Sequence, residues 1–207
     1  MLEVRDSKYP ERPGRVGTQR PSAFMWTAGV GGLLDLPHMT VIIDGLDRWD
    51  ISESRVVEEA RLLEAVRHRC GAQVDEMRTP PHVPENDDPF GSWTRVGVPA
   101  SPFPRWLRCT NRMCNRLGTM DSGMFALDFK AVNTEGTQFR HKHCKGPGSR
   151  NESRAIAVRF VFACERGHLD DFPFDYFVHG SAGTCAVPAY EIEDFGQGLS
   201  PTVRVSC

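Results

Sequence analysis

Cys109 and Cys114 enclose four residues, Cys144 follows His141 and His143, and Cys164 stands four positions before His168. Soft thiolates arriving as one close pair and two later single positions suit a tetrahedral zinc ion that ties loops together. The expected ligand set is Cys109, Cys114, Cys144 and Cys164. The polar Thr-Asn-Arg-Met between the first two fits a tight turn whose backbone N–H groups point at sulfur. Cys164 closes the apolar run 156–164, and a strand end holds a ligand rigidly. Two alternatives stay open: His143 or His168 in place of one sulfur, or some of these cysteines as plain buried thiols. Four sulfurs leave no coordination position free, so such a zinc is structural rather than catalytic. A competing chemistry is a small zinc-dependent nuclease or hydrolase using His168, Asp170 and Asp171, although no Glu/His pattern of the usual hydrolytic type accompanies them.

Charge is segregated around these residues. The chain of 207 residues carries a formal net charge of -2, yet residues 105–116 hold Arg105, Arg108, Arg112 and Arg116 with no acid among them. Residues 140–159 add Arg140, Lys142, Lys145, Arg150, Arg154 and Arg159 against Glu152 alone. From 165 to 194 the balance reverses with Asp170, Asp171, Asp175, Glu191, Glu193 and Asp194. Arg105, Arg108, Arg112, Arg116, Arg140, Lys142 and Lys145 are therefore candidates to track a nucleic-acid backbone, with an ordinary solvated surface as the bland reading. Trp93, Trp106 and Phe139 are assigned to packing rather than base stacking, and no recognition helix or finger pattern offers base readout.

The elements that must position these residues are short, which makes the fold class α+β: short strands, one clear amphipathic helix, a zinc-ribbon-like element and much irregular chain. Ser52 is placed to cap a helix over 53–69, with Val56, Ala60, Leu63 and Val66 as its apolar stripe and Gly71 as its stop. Cys70, at its end, reads as a small core residue. Met39 to Ile43 and Phe125 to Phe129 read as strands, and Ala155 to Ala163 as a longer one. Residues 79–104 contain seven prolines and read as an extended connection, neither helix nor central strand. Residues 145–154 read as an exposed loop. The glycines at 29, 31 and 32 lack the Lys-Ser/Thr of a phosphate loop and suit a turn with positive φ. Asp170 or Asp171 is expected to cap a short helix begun at Pro173, with Phe172, Phe174 and Phe177 packed inward and His168 donating to a ligand sulfur. The domain reading is a flexible or partner-ordered segment 1–19, an α/β region 20–78, the Pro-rich connection 79–104 and a zinc-binding region 105–207. Seven cysteines without an apolar leader favour metal ligation over disulfides and a cytoplasmic location, and no run is long enough to span a membrane. Cys185 and Cys207 stand apart as two ligands that do not complete a second site.

Several stretches together resemble a known family. RPSAFMWTAGVGGLLDLP at 20–37, FPRWLRC at 103–109 and above all VRFVFACERGHLDDFPFDYFVHG at 158–180 are similar to the DrmB family of the DISARM anti-phage system. That family belongs to a wider group of cysteine-bearing domains also appended to DNA helicases. The resemblance implies a non-catalytic partner of a SNF2-like helicase of the DrmA type, acting with it on phage DNA. It also implies zinc on Cys109, Cys114, Cys144 and Cys164. A scaffold joining that helicase to a DNA methyltransferase is a further reading of the same resemblance. The first cysteine pair is spaced by four residues where two are common in the family. Relatives continue further with more cysteines, so the chain corresponds to an N-terminal portion or a shortened member.

Overall fold

The computed structural model describes residues 2–4, 14–88, 91–130, 133–183, 185–195 and 202–207. The chain divides into two compact units, residues 1–32 with 42–101 and residues 33–41 with 102–207. Short strands dominate, as an α+β chain with much irregular backbone requires.

One five-stranded sheet comprises β1 (Leu2–Val4), β2 (Gly14–Gly17), β3 (Leu33–Leu36), β4 (Met39–Ile43) and β5 (Val98–Pro102), in the order β2-β1-β5-β4-β3. Helix α1 (Pro21–Trp26) follows β2. Two sequence expectations change here. Leu2–Val4 and Gly14–Gly17 are strands rather than a loose lead-in; residues 5–13 lie outside the described residues. β5 is a central strand in spite of Pro99 and Pro102, pairing in parallel with β1. Pro99 contributes what a proline still has, a carbonyl, which accepts from the Asp44 N–H at 3.0 Å, while Val98 and Ala100 are fully buried. The glycine turn is as expected at Gly31, whose φ is +77°. At Gly32 a Cβ would stand 2.8 Å from the Gly29 carbonyl oxygen, so the close approach itself demands glycine.

Helix α2 (Ala60–Cys70) starts later than its periodicity suggests. Val56 forms a bridge to Arg78, and the Val57 N–H donates to the Met77 carbonyl at 2.9 Å. The β-branched pair is drawn into extended pairing, and Glu59 takes over the cap by accepting from the Arg61 N–H. Gly71 ends the helix at φ +102°. Cys70, the last residue of a helix with no buried side chain, is exposed and not a core residue.

The second unit is built on an antiparallel sheet of β6 (Trp106–Cys109), β7 (Leu117–Thr119), β8 (Phe125–Asp128), β9 (Gln138–Lys145) and β10 (Glu152–Ala157), ordered β7-β6-β10-β9-β8. The expected single strand 155–163 is two. After β10 the Val158 N–H bonds the Trp106 carbonyl at 3.0 Å and its side chain turns into the core. The chain then leaves the sheet to form a hairpin of β11 (Val161–Ala163) with β12 (Leu169–Asp171). Helix α3 (Phe174–His179) and a hairpin of β13 (Glu191–Asp194) with β14 (Val203–Ser206) complete the unit. Its core gathers Trp106, Leu117, Val158, Phe174, Tyr190 and Ile192, with Phe160, Phe172 and Val205 packed against it. Trp106 meets Phe174 and Tyr190 edge-on at 5.1 and 5.6 Å.

The acids before α3 do not cap it: the helix has no side-chain cap. Asp171 is occupied by Arg105 instead, accepting from its backbone N–H at 2.7 Å and its Nε at 2.9 Å. Phe174 is 1% exposed, whereas Phe177 is 59% exposed and does not pack inward. Phe174→Ala should therefore cost about 3–5 kcal/mol by denaturant unfolding. A loss under about 1 kcal/mol would show that the core does not close around this ring.

Candidate metal centre

Sheet register puts the first ligands on one face. Cys109 on β6 lies opposite Ala155 on β10, and Ala155 lies opposite Phe139 on β9, so these three side chains share a face. His141, two residues beyond Phe139, lies on that face as well, across from Phe125, whose ring centroid is 5.3 Å from its own. Cys144 stands three positions after His141 and would face away in a regular strand. His143, at φ +62°, breaks the alternation. β9 runs from Arg140 to Lys145 against only Arg154 to Glu152 on β10, and this bulge returns Cys144 to the side of His141. Glu152 holds the bulge by accepting from the His143 N–H at 2.7 Å.

The second strand pair contributes a turn. After Cys109 the Asn111 carbonyl accepts from the N–H groups of Cys114 and Asn115 at 2.8 and 3.0 Å, and its side-chain oxygen accepts from Met113 N–H at 3.0 Å. Asn115 takes φ +49°, a conformation asparagine tolerates, and the chain re-enters β7. The Asn111 backbone N–H is 3.4 Å from Cys109 Sγ, and its side-chain amide is 3.4 Å from Cys144 Sγ. The turn therefore aims donors at two sulfurs, and one of them is the backbone N–H expected from sequence.

The result is a cluster of Cys109, Cys114, His141 and Cys144 whose ligand atoms all lie within 4.8 Å of one another. Cys109 and Cys144 sulfurs are 3.8 Å apart, and Cys114 Sγ is 3.4 Å from His141 Nδ1. Metal–sulfur bonds of about 2.3 Å and metal–nitrogen bonds of about 2.0 Å in a tetrahedron imply separations of about 3.8 and 3.5 Å. The donor set and its spacing fit a metal ion, and the two knuckles, one between β6 and β7 and one on β9, are zinc-ribbon-like. Burial pushes the Cys109 thiol up to about 12 and raises Cys114 too. Burial and then Arg116 lower His141, keeping the imidazole in the neutral form that can bind metal. At Cys144 the cost of burial is outweighed by the hydrogen bonds from Asn111 and Ser153, which favour its thiolate.

The structure thus brings together three of the four expected cysteines, and the fourth corner is His141 rather than Cys164. Cys164 is on the β11–β12 turn, exposed, with its sulfur 3.4 Å from His168 Nδ1. His168 accordingly meets a sulfur, but one outside the cluster. His143 is exposed and also outside it. Sequence reasoning passed over His141, although His141-x-x-Cys144 has the short spacing of a ligand pair; the left-handed residue between them was not foreseeable from composition. The alternative catalytic group does not converge: His168 faces Cys164, Asp171 is taken by Arg105, and Asp170 accepts from the Asp171 N–H at 2.8 Å.

Among the candidate cations, Arg105 pairs with Asp171, Arg116 with Glu191 at 3.8 Å, and Arg140 with Asp128 at 2.7 Å. Arg112, Lys142 and Lys145 form no ion pair among the described residues. They flank the two knuckles, one beside Cys114 and two around Cys144.

A family model described as a domain of unknown function (DUF8724) matches residues 20–207. The chain belongs to that family. It is also 33% identical over 88 residues to the DISARM protein DrmB of Bacillus paralicheniformis, a match covering 42% of this chain and 13% of that protein. The chain thus spans a small part of that relative's length. No helix among the described residues is long and apolar enough to cross a membrane.

Metal content measured by elemental analysis should fall in Cys109→Ser and in His141→Ala and stay at the wild-type level in Cys164→Ser. Loss of metal in Cys164→Ser with retention in His141→Ala would restore the four-sulfur set.

Proposed function

We propose that this chain is a non-catalytic, zinc-stabilised accessory component of an anti-phage defence complex, engaging DNA beside a SNF2-like helicase of the DrmA type. The observation that carries this reading is the cationic rim of the metal centre. Arg112, Lys142 and Lys145 sit on the two knuckles with no acid paired to them among the described residues, so their charge is available to phosphates. The resident ion at Cys109, Cys114, His141 and Cys144 is zinc, the usual ion for a set of thiolates and imidazole in tetrahedral spacing. With three thiolates and one imidazole around it, the site offers no open position, so zinc supplies cohesion and not chemistry. What it fixes is the turn carrying Arg112 and the bulge carrying Lys142.

The similarity to DrmB supports the defence context, and a cytoplasmic location follows from that context. The helicase-facing surface in this reading is carried by the exposed aromatic residues of the 158–180 signature. Phe162, Tyr176 and Phe177 are each more than half exposed, an arrangement that ordinarily invites a partner. A DNA methyltransferase of the same system is a further partner in this reading.

Two measurements test it. Fluorescence anisotropy with a short DNA duplex should show affinity falling with salt. In the Arg112→Ala/Lys142→Ala/Lys145→Ala variant the slope of log affinity against log salt should shrink by about 0.9 for each phosphate that is no longer neutralised. An unchanged slope rejects the cationic rim as the surface that meets DNA. Co-expression with the helicase should yield a complex that Phe162→Ala/Phe177→Ala weakens at least tenfold while leaving the metal content intact. Full retention of the complex in that variant rejects these aromatic residues as the helicase-facing surface.

A further inference from the structure

A second set of ligand atoms converges away from the first. His179 ends α3, Cys185 lies in the irregular segment that follows, and Cys207 follows β14. Their ligand atoms all lie within 4.8 Å of one another, although Cys185 and Cys207 are separated by 22 positions. Sequence spacing leaves Cys185 and Cys207 as an incomplete pair, and the fold supplies the third member from a helix end.

Two of the three ligands, His179 and Cys207, adjoin elements held independently. α3 is anchored by Phe174, and β14 pairs with β13 through the register Ile192↔Val205. Between them Tyr190 is buried, donates its hydroxyl to the Asp175 carboxylate, and stacks edge-on against the His179 ring at 5.8 Å. The Ala189 N–H points at Cys207 Sγ at 3.4 Å, a donor that favours thiolate.

The tautomer of His179 follows from its partner. Nδ1 is 3.1 Å from the Asp175 backbone carbonyl oxygen. A carbonyl can only accept, so Nδ1 carries the proton and Nε2 keeps its lone pair. This is the arrangement in which a metal-binding histidine is oriented by a carbonyl behind it. The two sulfurs are 3.4 Å apart, well beyond a disulfide bond of about 2.05 Å. That separation is within a few tenths of an ångström of the roughly 3.8 Å expected for two thiolates on one tetrahedral ion.

We propose that His179, Cys185 and Cys207 form a second metal site that takes a divalent ion of the zinc class through one imidazole and two thiolates. Both cysteines are exposed, so the fourth coordination position faces solvent. Water fills it in the isolated chain, and an exogenous thiolate, imidazole or carboxylate can replace that water. Two thiolates neutralise a divalent ion, so the site carries no net charge to repel such a ligand. The ion also ties the β13–β14 hairpin to the end of α3. The site is independent of the reading given to the first one.

The test is reconstitution of the full chain with cobalt(II) under reducing conditions, with elemental analysis alongside. Wild type is expected to bind two ions per chain, and Cys185→Ser and Cys207→Ser one each. Added imidazole should shift the visible bands of wild type and leave those of Cys185→Ser unchanged, since the remaining site is closed. If the first site alone failed, Cys185→Ser would remove the single ion that wild type held. The proposal is overturned if wild type and Cys185→Ser bind the same number of ions, or if reduced wild type shows bands insensitive to imidazole. It is equally overturned if Cys185 and Cys207 are recovered as a disulfide under those conditions.

Discussion

Bringing three sulfurs and a ring nitrogen within one coordination sphere from two strand pairs is the constraint on which the second unit rests. A regular antiparallel ladder cannot do it, since alternate residues face opposite sides and ligands three positions apart diverge. The chain leaves β geometry twice to resolve this, at Asn115 and at His143, both at positive φ. Each departure has a local cost in conformational energy, and each is held by backbone N–H groups that donate to Asn111 or Glu152. Two bends made by polar residues thus convert one face of the sheet into a ligand cage.

The same bends decide where charge is displayed. Arg112 projects from the first and Lys142 and Lys145 flank the second, while Arg105, Arg116 and Arg140 are drawn into pairs with Asp171, Glu191 and Asp128. Residues on a flat sheet find cross-strand partners; residues on a bulge or tight turn have fewer neighbours in reach. A metal ion held there would offset the raised proton affinity of the buried Cys109 and Cys114 thiols and fix the turn that carries Arg112. Cohesion and electrostatic display are therefore one property of this region.

The aromatic core of the second unit works in parallel with the ligand cluster rather than through it. Trp106 and Cys109 lie on the same strand but face opposite sides, by the alternation that separates positions three apart. One face carries the Trp106–Phe174–Tyr190 packing and the other carries the ligand row. β6 is thus shared by two cohesive systems, which explains why so short a strand is buried almost throughout. Tyr190 extends the core towards α3 and the β13–β14 hairpin, where the three remaining ligand atoms meet.

Much of this was legible in the residues themselves. The α+β class, the strands at Met39–Ile43 and Phe125–Asp128, the Gly71 stop and the convergence of Cys109, Cys114 and Cys144 follow from local chemistry: β-branched runs, a glycine that tolerates positive φ, and sulfur spacing. What sequence could not decide were choices made by long-range pairing. Val56 left its helical stripe because residues 77–79 offered it and its neighbour Val57 an extended partner. Pro99 entered a central strand because its carbonyl alone was needed there. His141 displaced Cys164 because register, not proximity to a cysteine motif, determines which side chains share a face. His179 joined Cys185 and Cys207 because a helix end and a strand end were packed against one buried tyrosine. Spacing along the chain constrains ligands that are close in sequence, whereas ligands from distant segments meet only where tertiary packing brings their backbones together.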